Sequence, residues 1–150
     1  MDLSIVRASP QDFKTVAGLV HALLQELSGG KATPIGELEE TAQVVLSKYG
    51  VFALLALSDG QPLGVVVLNE CAAIYAGGEF GEITELYVRP EARSLGVAAR
   101  LVEAAIVEAT RHGWHRIEVG APPQPEWART MQFYLRNGFE EVGPRLRRSL

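Results

Sequence analysis

The residues best suited to chemistry lie in the stretch Tyr87–Leu101, YVRPEARSLGVAARL. It opens on an apolar, strand-like run, passes a proline and a loop, and continues as a helical pattern. Gly96 falls where that helix begins, with Arg93 before it and Ala98 after it. A helix N-terminus carries unpaired N–H groups and the positive end of the macrodipole, so it attracts anions. Glycine lets the backbone approach a ligand because no Cβ stands in the way. Ala98 keeps the first turn slim, and Arg93 adds a permanent positive charge at the rim. The chemistry expected here is the binding of a pyrophosphate. Two other phosphate motifs are absent: there is no G-x-x-x-x-G-K-[ST], and only one glycine of G-x-G-x-x-G stands between strand and helix. What remains, [QR]-x-x-G-x-[GA], is a loose pattern until its surroundings are read.

The elements that position this loop follow from periodicity. LSIVRA (residues 3–8) reads as a short strand. Ser9-Pro10 opens a helix, with Ser9 as cap and Asp12 near the positive end of its dipole. Phe13, Val16, Val20, Leu23, Leu24 and Leu27 form its apolar stripe, and SGGK ends it. Thr33-Pro34 repeats the signal for a second helix to about Lys48, with Leu38, Val45 and Leu46 inward. VFALLAL, PLGVVVLNECAAI and FGEITELYV (residues 80–88) then read as a three-strand meander. Asp59-Gly60 is its clearest hairpin turn, and Gly77-Gly78 makes the other. A long helix from about Gly96 to His112 follows, closed by Gly113. HRIEVG is a strand, PEWARTMQFYLRNG a helix, and FEEVGPRLRR a last strand or strand pair.

The order is β-α-α-β-β-β-α-β-α-β. It implies an α/β (α+β) protein: a mixed, mostly antiparallel central sheet flanked by helices on both faces. With 150 residues and no repeat or linker, one domain over residues 1–150 is expected. The net charge of −4 argues against nucleic-acid binding, which needs basic surface. Arg145, Arg147 and Arg148 read as a solvated tail. No apolar run approaches the roughly 18 residues of a membrane span, and MDLSIVRASPQDF lacks a secretory pattern. Cys71 is the sole cysteine, so no intrachain disulfide can form. A cytoplasmic location is expected. His21, His112 and His115 lack metal-ligand spacing, so no metal is expected, and His112 reads as a favourable charge near a helix C-terminus.

About thirty residues beyond the loop comes QFYLRNGFEEVG. The combination of strand, R-x-x-G-x-A, helix, strand and F-Y-x-x-x-G-F resembles the GNAT family of acyl-CoA-dependent N-acetyltransferases over nearly the whole chain. The resemblance is strongest in EITELYVRPEARSLGVAARLVEAA and MQFYLRNGFEEVG. It implies the acyl-CoA N-acyltransferase fold and acetyl-CoA as co-substrate. It also implies a primary amine of a small molecule or peptide as acceptor, direct transfer without a cysteine intermediate, and compatibility with a homodimer. Arg93, Ser94, Leu95, Gly96, Val97, Ala98, Ala99 and Arg100 would then hold the CoA pyrophosphate. The strand edge at Leu86, Tyr87 and Val88 would pair with the pantetheine arm, and the Val88 N–H would face the oxyanion. Tyr134 falls on the family's general-acid tyrosine, beside Phe133. Trp127 and Thr130 stand where the family often has N-x-x-A, which leaves Trp127 as a cofactor or pocket contact or a core residue. The base is Glu82, Glu85 or water alone. Side-chain alternation puts the two glutamates on opposite faces. The loop from Leu27 to Gly36 would help wall the acceptor. A non-catalytic acyl-CoA sensor would keep Arg93 and Gly96 but would need neither Tyr134 nor a glutamate; a ligand-free dimerisation domain would explain none of these.

Overall fold

The computed structural model describes residues 2–150. Two compact units are evident, one ending at Glu118 and one spanning Val119–Leu150. The first is built on antiparallel strands β1 (Leu3–Arg7), β2 (Val51–Ser58), β3 (Gln61–Ala73) and β4 (Gly78–Val88). They lie in chain order, with short β5 (Ile117–Val119) next to β4.

Helix α1 (Phe13–Ser28) is entered through a short 3-10 turn at Pro10–Asp12, where the Ser9 N–H donates to Asp12 Oδ2 at 2.8 Å. It ends at Gly29, whose φ of +67° is one that L side chains rarely adopt. Helix α2 (Ile35–Val45) follows. α1 buries Val16, Ala17 and Leu19. Val16 and Leu19 pack on Ala53, Leu55, Val65, Val67 and Tyr87, which form one face of the sheet. The opposite face receives α3 (Val97–Arg111), with Leu101 against Gly64. Both faces are therefore covered. That is why β2 and β3 carry the near-continuous apolar runs VFALLAL and VVVL rather than alternating ones. The Asp59-Gly60 hairpin has positive φ at both residues, 51° and 78°, as a type I′ turn requires.

Two buried polar groups escaped sequence reasoning. Trp114 donates Nε1–H to Glu70 Oε2 at 2.9 Å and packs its six-membered ring against Gly81. Glu108 is buried on α3 and meets Arg111 at 3.2 Å and Arg7 at 3.9 Å. His112 directs Nδ1 at the Glu108 carbonyl, 2.8 Å away, at the helix C-terminus where a histidine was expected to help.

The second unit holds α4 (Ala128–Arg136), which starts three residues later than PEWARTM suggested, after a turn through Trp127. The last strand expected from FEEVGPRLRR does not form: among the described residues no strand follows Val119. Gly143-Pro144 interrupts the run, Pro144 has no N–H for a ladder, and Phe139 is spent packing on Tyr134 instead. α2 likewise stops at Val45, short of Lys48.

A Cβ added to Gly81 would stand 2.5 Å from two atoms of the Trp114 ring, whereas one added to Gly36 in α2 meets nothing within 4 Å. Gly81→Ala should therefore lower stability by about 1–3 kcal/mol through overpacking. Gly36→Ala should raise it by about 0.4–1 kcal/mol by restricting the unfolded chain. Urea midpoints check both; an unchanged midpoint for Gly81→Ala would mean that the ring does not rest there.

Candidate functional site

β4 carries one residue more than its partner. Glu82 opposes Asn69, Ile83 opposes Leu68, and then Glu85 opposes Val67, so Thr84 is a β-bulge. Asn69 and Val67 are two residues apart and share a face of β3. Glu82 and Glu85 must therefore share that face too, the one covered by α1. This corrects the expectation that alternation separates them: alternation fails where a residue is inserted. The Thr84 hydroxyl hydrogen-bonds to Glu85 Oε1, a contact that fixes the carboxylate over the bulge. Both glutamates are half-buried.

The far end of β4 exposes an edge. The Arg89 N–H donates to the Leu63 carbonyl at 2.8 Å. Bonded and non-bonded pairs alternate along an antiparallel ladder. Val88, opposite Gly64, and Leu86, opposite Val66, are therefore in non-bonded positions relative to β3. Their N–H and C=O groups face away from β3. Consistent with this, the Val88 carbonyl accepts a bond from Arg93 Nε at 2.9 Å. β5 meets β4 at the opposite end, where the Gly81 N–H donates to the Arg116 carbonyl at 3.1 Å. Tyr87, between Leu86 and Val88, turns its ring into the α1-side core. Burial there, and secondarily the Glu26 carboxylate, raise its pKa.

From this edge the chain passes through a 3-10 turn (Pro90–Ala92) to Arg93, Ser94 and Leu95. Ser94 and Gly96 both have left-handed backbones, with φ of 65° and 82°. A Cβ on Gly96 would meet nothing within 4 Å, so conformation and open space, rather than packing, set glycine here. Gly96 caps α3, and the first intrahelical bond is Arg100 N–H to the Gly96 carbonyl at 3.1 Å. The amides of Val97, Ala98 and Ala99 precede it and have no acceptor within the helix. Val97 and Leu101 anchor the helix in the core, while Ala98 and Ala99 are half-buried and Arg93–Gly96 exposed.

Arg93 is more tied down than a rim charge. Its Nη2 lies 2.7 and 2.9 Å from the two Glu26 oxygens, and its guanidinium sits 5.5 Å from the Tyr87 ring centroid. The last turn of α1 is thereby tied to the loop before α3. Glu26 was missed in the sequence; its only signal there is an acidic residue late in α1, where the dipole does not favour one.

In the second unit, Tyr134 lies on the buried side of α4 and is 6 % exposed. Phe133 and Phe139 stand edge-on to it at centroid distances of 5.5 and 5.4 Å. Burial pushes its pKa up to about 12, so the phenol stays protonated throughout the physiological range. Trp127 and Phe133 are half-buried, and Gln124 Nε2 donates to the Trp127 carbonyl at 3.2 Å. Among the described residues no cluster of three or more His, Cys, Asp or Glu is placed to hold a metal.

The Tyr134 shift makes stability depend on alkaline pH. The folded pKa is raised, so its contribution is complete below the unfolded value near 10 and is lost as pH rises toward 12. The gap corresponds to about 3 kcal/mol. Urea unfolding at pH 10 and pH 12 should show this decline in the wild type and a smaller one in Tyr134→Phe. An equal decline in the two would contradict the burial of the phenol.

Comparison with known proteins places this geometry. A family model described as "Acetyltransferase (GNAT) family" matches residues 19–139. No curated protein sequence matches the chain. The fold is similar to that of a ribosomal-protein-alanine N-acetyltransferase from Brucella melitensis biovar Abortus 2308. That structure is 21 % identical, with 97 % of this chain and 100 % of that chain covered and a TM-score of 0.72. It is similar as well to an aminoglycoside acetyltransferase from an uncultured soil metagenomic sample, at 20 % identity, 99 % and 96 % coverage and a TM-score of 0.80. A transcriptional regulator from Bacillus halodurans C-125 is 16 % identical with a TM-score of 0.83, covering 99 % of this chain and all of that one. At these identities the structures speak for the fold, while the family model speaks for descent: the chain belongs to the GNAT family of acetyltransferases.

Proposed function

We propose that the protein transfers an acetyl group from acetyl-CoA to the primary amine of a small molecule or peptide. The observation that carries this reading is the continuity of the open β4 edge at Leu86 and Val88 with the left-handed Gly96 that starts α3. In this reading the amides of Val97–Ala99, the exposed turn from Arg93 to Gly96 and Arg100 receive the pyrophosphate. The extended pantetheine pairs along Leu86 and Val88 as an added strand.

The reaction then needs little beyond positioning, because a thioester is already activated. The ammonium of the acceptor gives one proton to Glu82 or Glu85, directly or through water. The neutral nitrogen attacks the thioester carbonyl, and the Val88 N–H stabilises the oxyanion. The C–N bond forms, the C–S bond breaks, and the nitrogen loses its second proton. The sulfur leaves as thiolate and is protonated. In sum, an ammonium and a thioester give an amide, a thiol and one proton. The family resemblance assigns the proton donor for the sulfur to Tyr134, whose phenol stays protonated throughout the physiological range.

Thermal unfolding with acetyl-CoA, and with NAD and ATP as controls, tests the cofactor. At 100 times its dissociation constant a ligand adds about 2.7 kcal/mol, a shift of several degrees. Acetyl-CoA alone should produce it, and Gly96→Glu should abolish it by placing a carboxylate against the pyrophosphate. Gly96→Ala, which strains the backbone at φ 82° but adds no charge, should unfold earlier yet still respond. No shift with acetyl-CoA in the wild type would defeat the proposal. Binding without thiol release for any amine would make the protein an acyl-CoA sensor instead.

A further inference from the structure

A small cleft opens between α1 and α2 above the β3–β4 pair, with a volume of about 90 Å³. Val16 and Val20 line it from α1, Leu38 and Val45 from α2, and Val67 from the sheet. Among the described residues that line it, Glu85 is the only ionisable one. The bulge at Thr84 is what turns Glu85 into this face. The cleft thus offers one carboxylate at the strand, one hydroxyl at Thr41 on α2 and hydrocarbon elsewhere.

That combination selects a ligand. A carboxylate fixed by the Thr84 hydroxyl binds a single ammonium well, since a charge-assisted hydrogen bond is stronger than a neutral one. The walls reward an alkyl chain by removing it from water. A second ammonium carried into them would lose its hydration and meet no second carboxylate, only the Thr41 hydroxyl, which does not replace that hydration. The cavity is smaller than the about 150 Å³ that takes a benzene ring, so the chain is short.

We propose that the acceptor is a monoamine bearing a short aliphatic group, with its ammonium on Glu85 and its alkyl chain between α1 and α2. This rests on the acetyltransferase reading, and it separates the protein from transferases that acetylate polycationic amines. A matched pair of probes tests it: butylamine, and 1,4-diaminobutane, which adds one charge at the far end of the same chain.

Acetyl transfer should favour butylamine in kcat/KM by about tenfold or more, the scale of discrimination that an apolar pocket reaches. Ala42→Phe, which fills the cleft from α2, should raise the KM for butylamine while leaving acetyl-CoA binding unchanged. A binding measurement without acetyl-CoA keeps the two readings separate. In methyl NMR spectra butylamine should shift Val16 and Val20, and the isosteric Glu85→Gln should weaken that response. Turnover with the diamine preferred, or an unaltered Ala42→Phe, would overturn the cleft assignment and leave the transferase reading standing. Failure to bind acetyl-CoA would remove the transferase reading, and the methyl titration alone would then decide the cleft: Val16 and Val20 unmoved by butylamine would overturn it.

Discussion

Between Val67 and Leu68 the register of β3 against β4 slips by one, and Thr84 has no residue opposite it. A strand that paired without interruption would send Glu82 and Glu85 to opposite sides of a sheet that is covered on both. One of them would then lie toward α3 and its apolar contacts. The inserted residue turns both carboxylates to the face of the sheet that α1 packs on, with Glu85 under α1 and α2, and leaves the α3 side to Ile83, Leu68 and Leu101, all buried. It separates a polar half of the strand from a buried one at the cost of one interrupted ladder position. The Thr84–Glu85 hydrogen bond partly offsets that cost.

Beyond the bulge the ladder resumes, and its phase determines which groups face outward. Because Arg89 bonds to Leu63, Val88 and Leu86 point their polar backbone atoms away from β3. The Arg93 side chain then closes on Val88 and Glu26 together. This pair is partly exposed, so its contribution to stability is small. Its structural consequence is larger. The last turn of α1, the end of β4 and the loop ahead of α3 are tied by one guanidinium.

Much of this was legible in the sequence because local and tertiary demands agree. The apolar runs of β2 and β3, the Asp59-Gly60 turn and the glycine that starts α3 each carry a signal that nothing in the fold opposes. The bulge is different. A hint exists in EITELYV, where Ile83 and Leu86 are three apart and so break the period of two, yet a strict period was assumed. Glu26 was invisible because its partner is 67 positions away in the chain. The closing strand failed for the reverse reason. Phe139 and Val142 are β-type residues but stand three apart rather than two, and Gly143-Pro144 and the arginines after them offer neither a continuous donor row nor an apolar face, so no strand forms there. Tyr134 stands out by its motif, but the burial that raises its pKa is not something the motif carries.

In the proposed function, the outer edge of β4 and the first turn of α3 form one continuous binding surface for an acyl-CoA. Amide hydrogen exchange with and without coenzyme A measures it residue by residue. Leu86 and Val88 should gain protection together with Val97, Ala98 and Ala99, while amides in β1 and α2 exchange as before. Protection that spared either group, or that fell elsewhere in the fold, would contradict it.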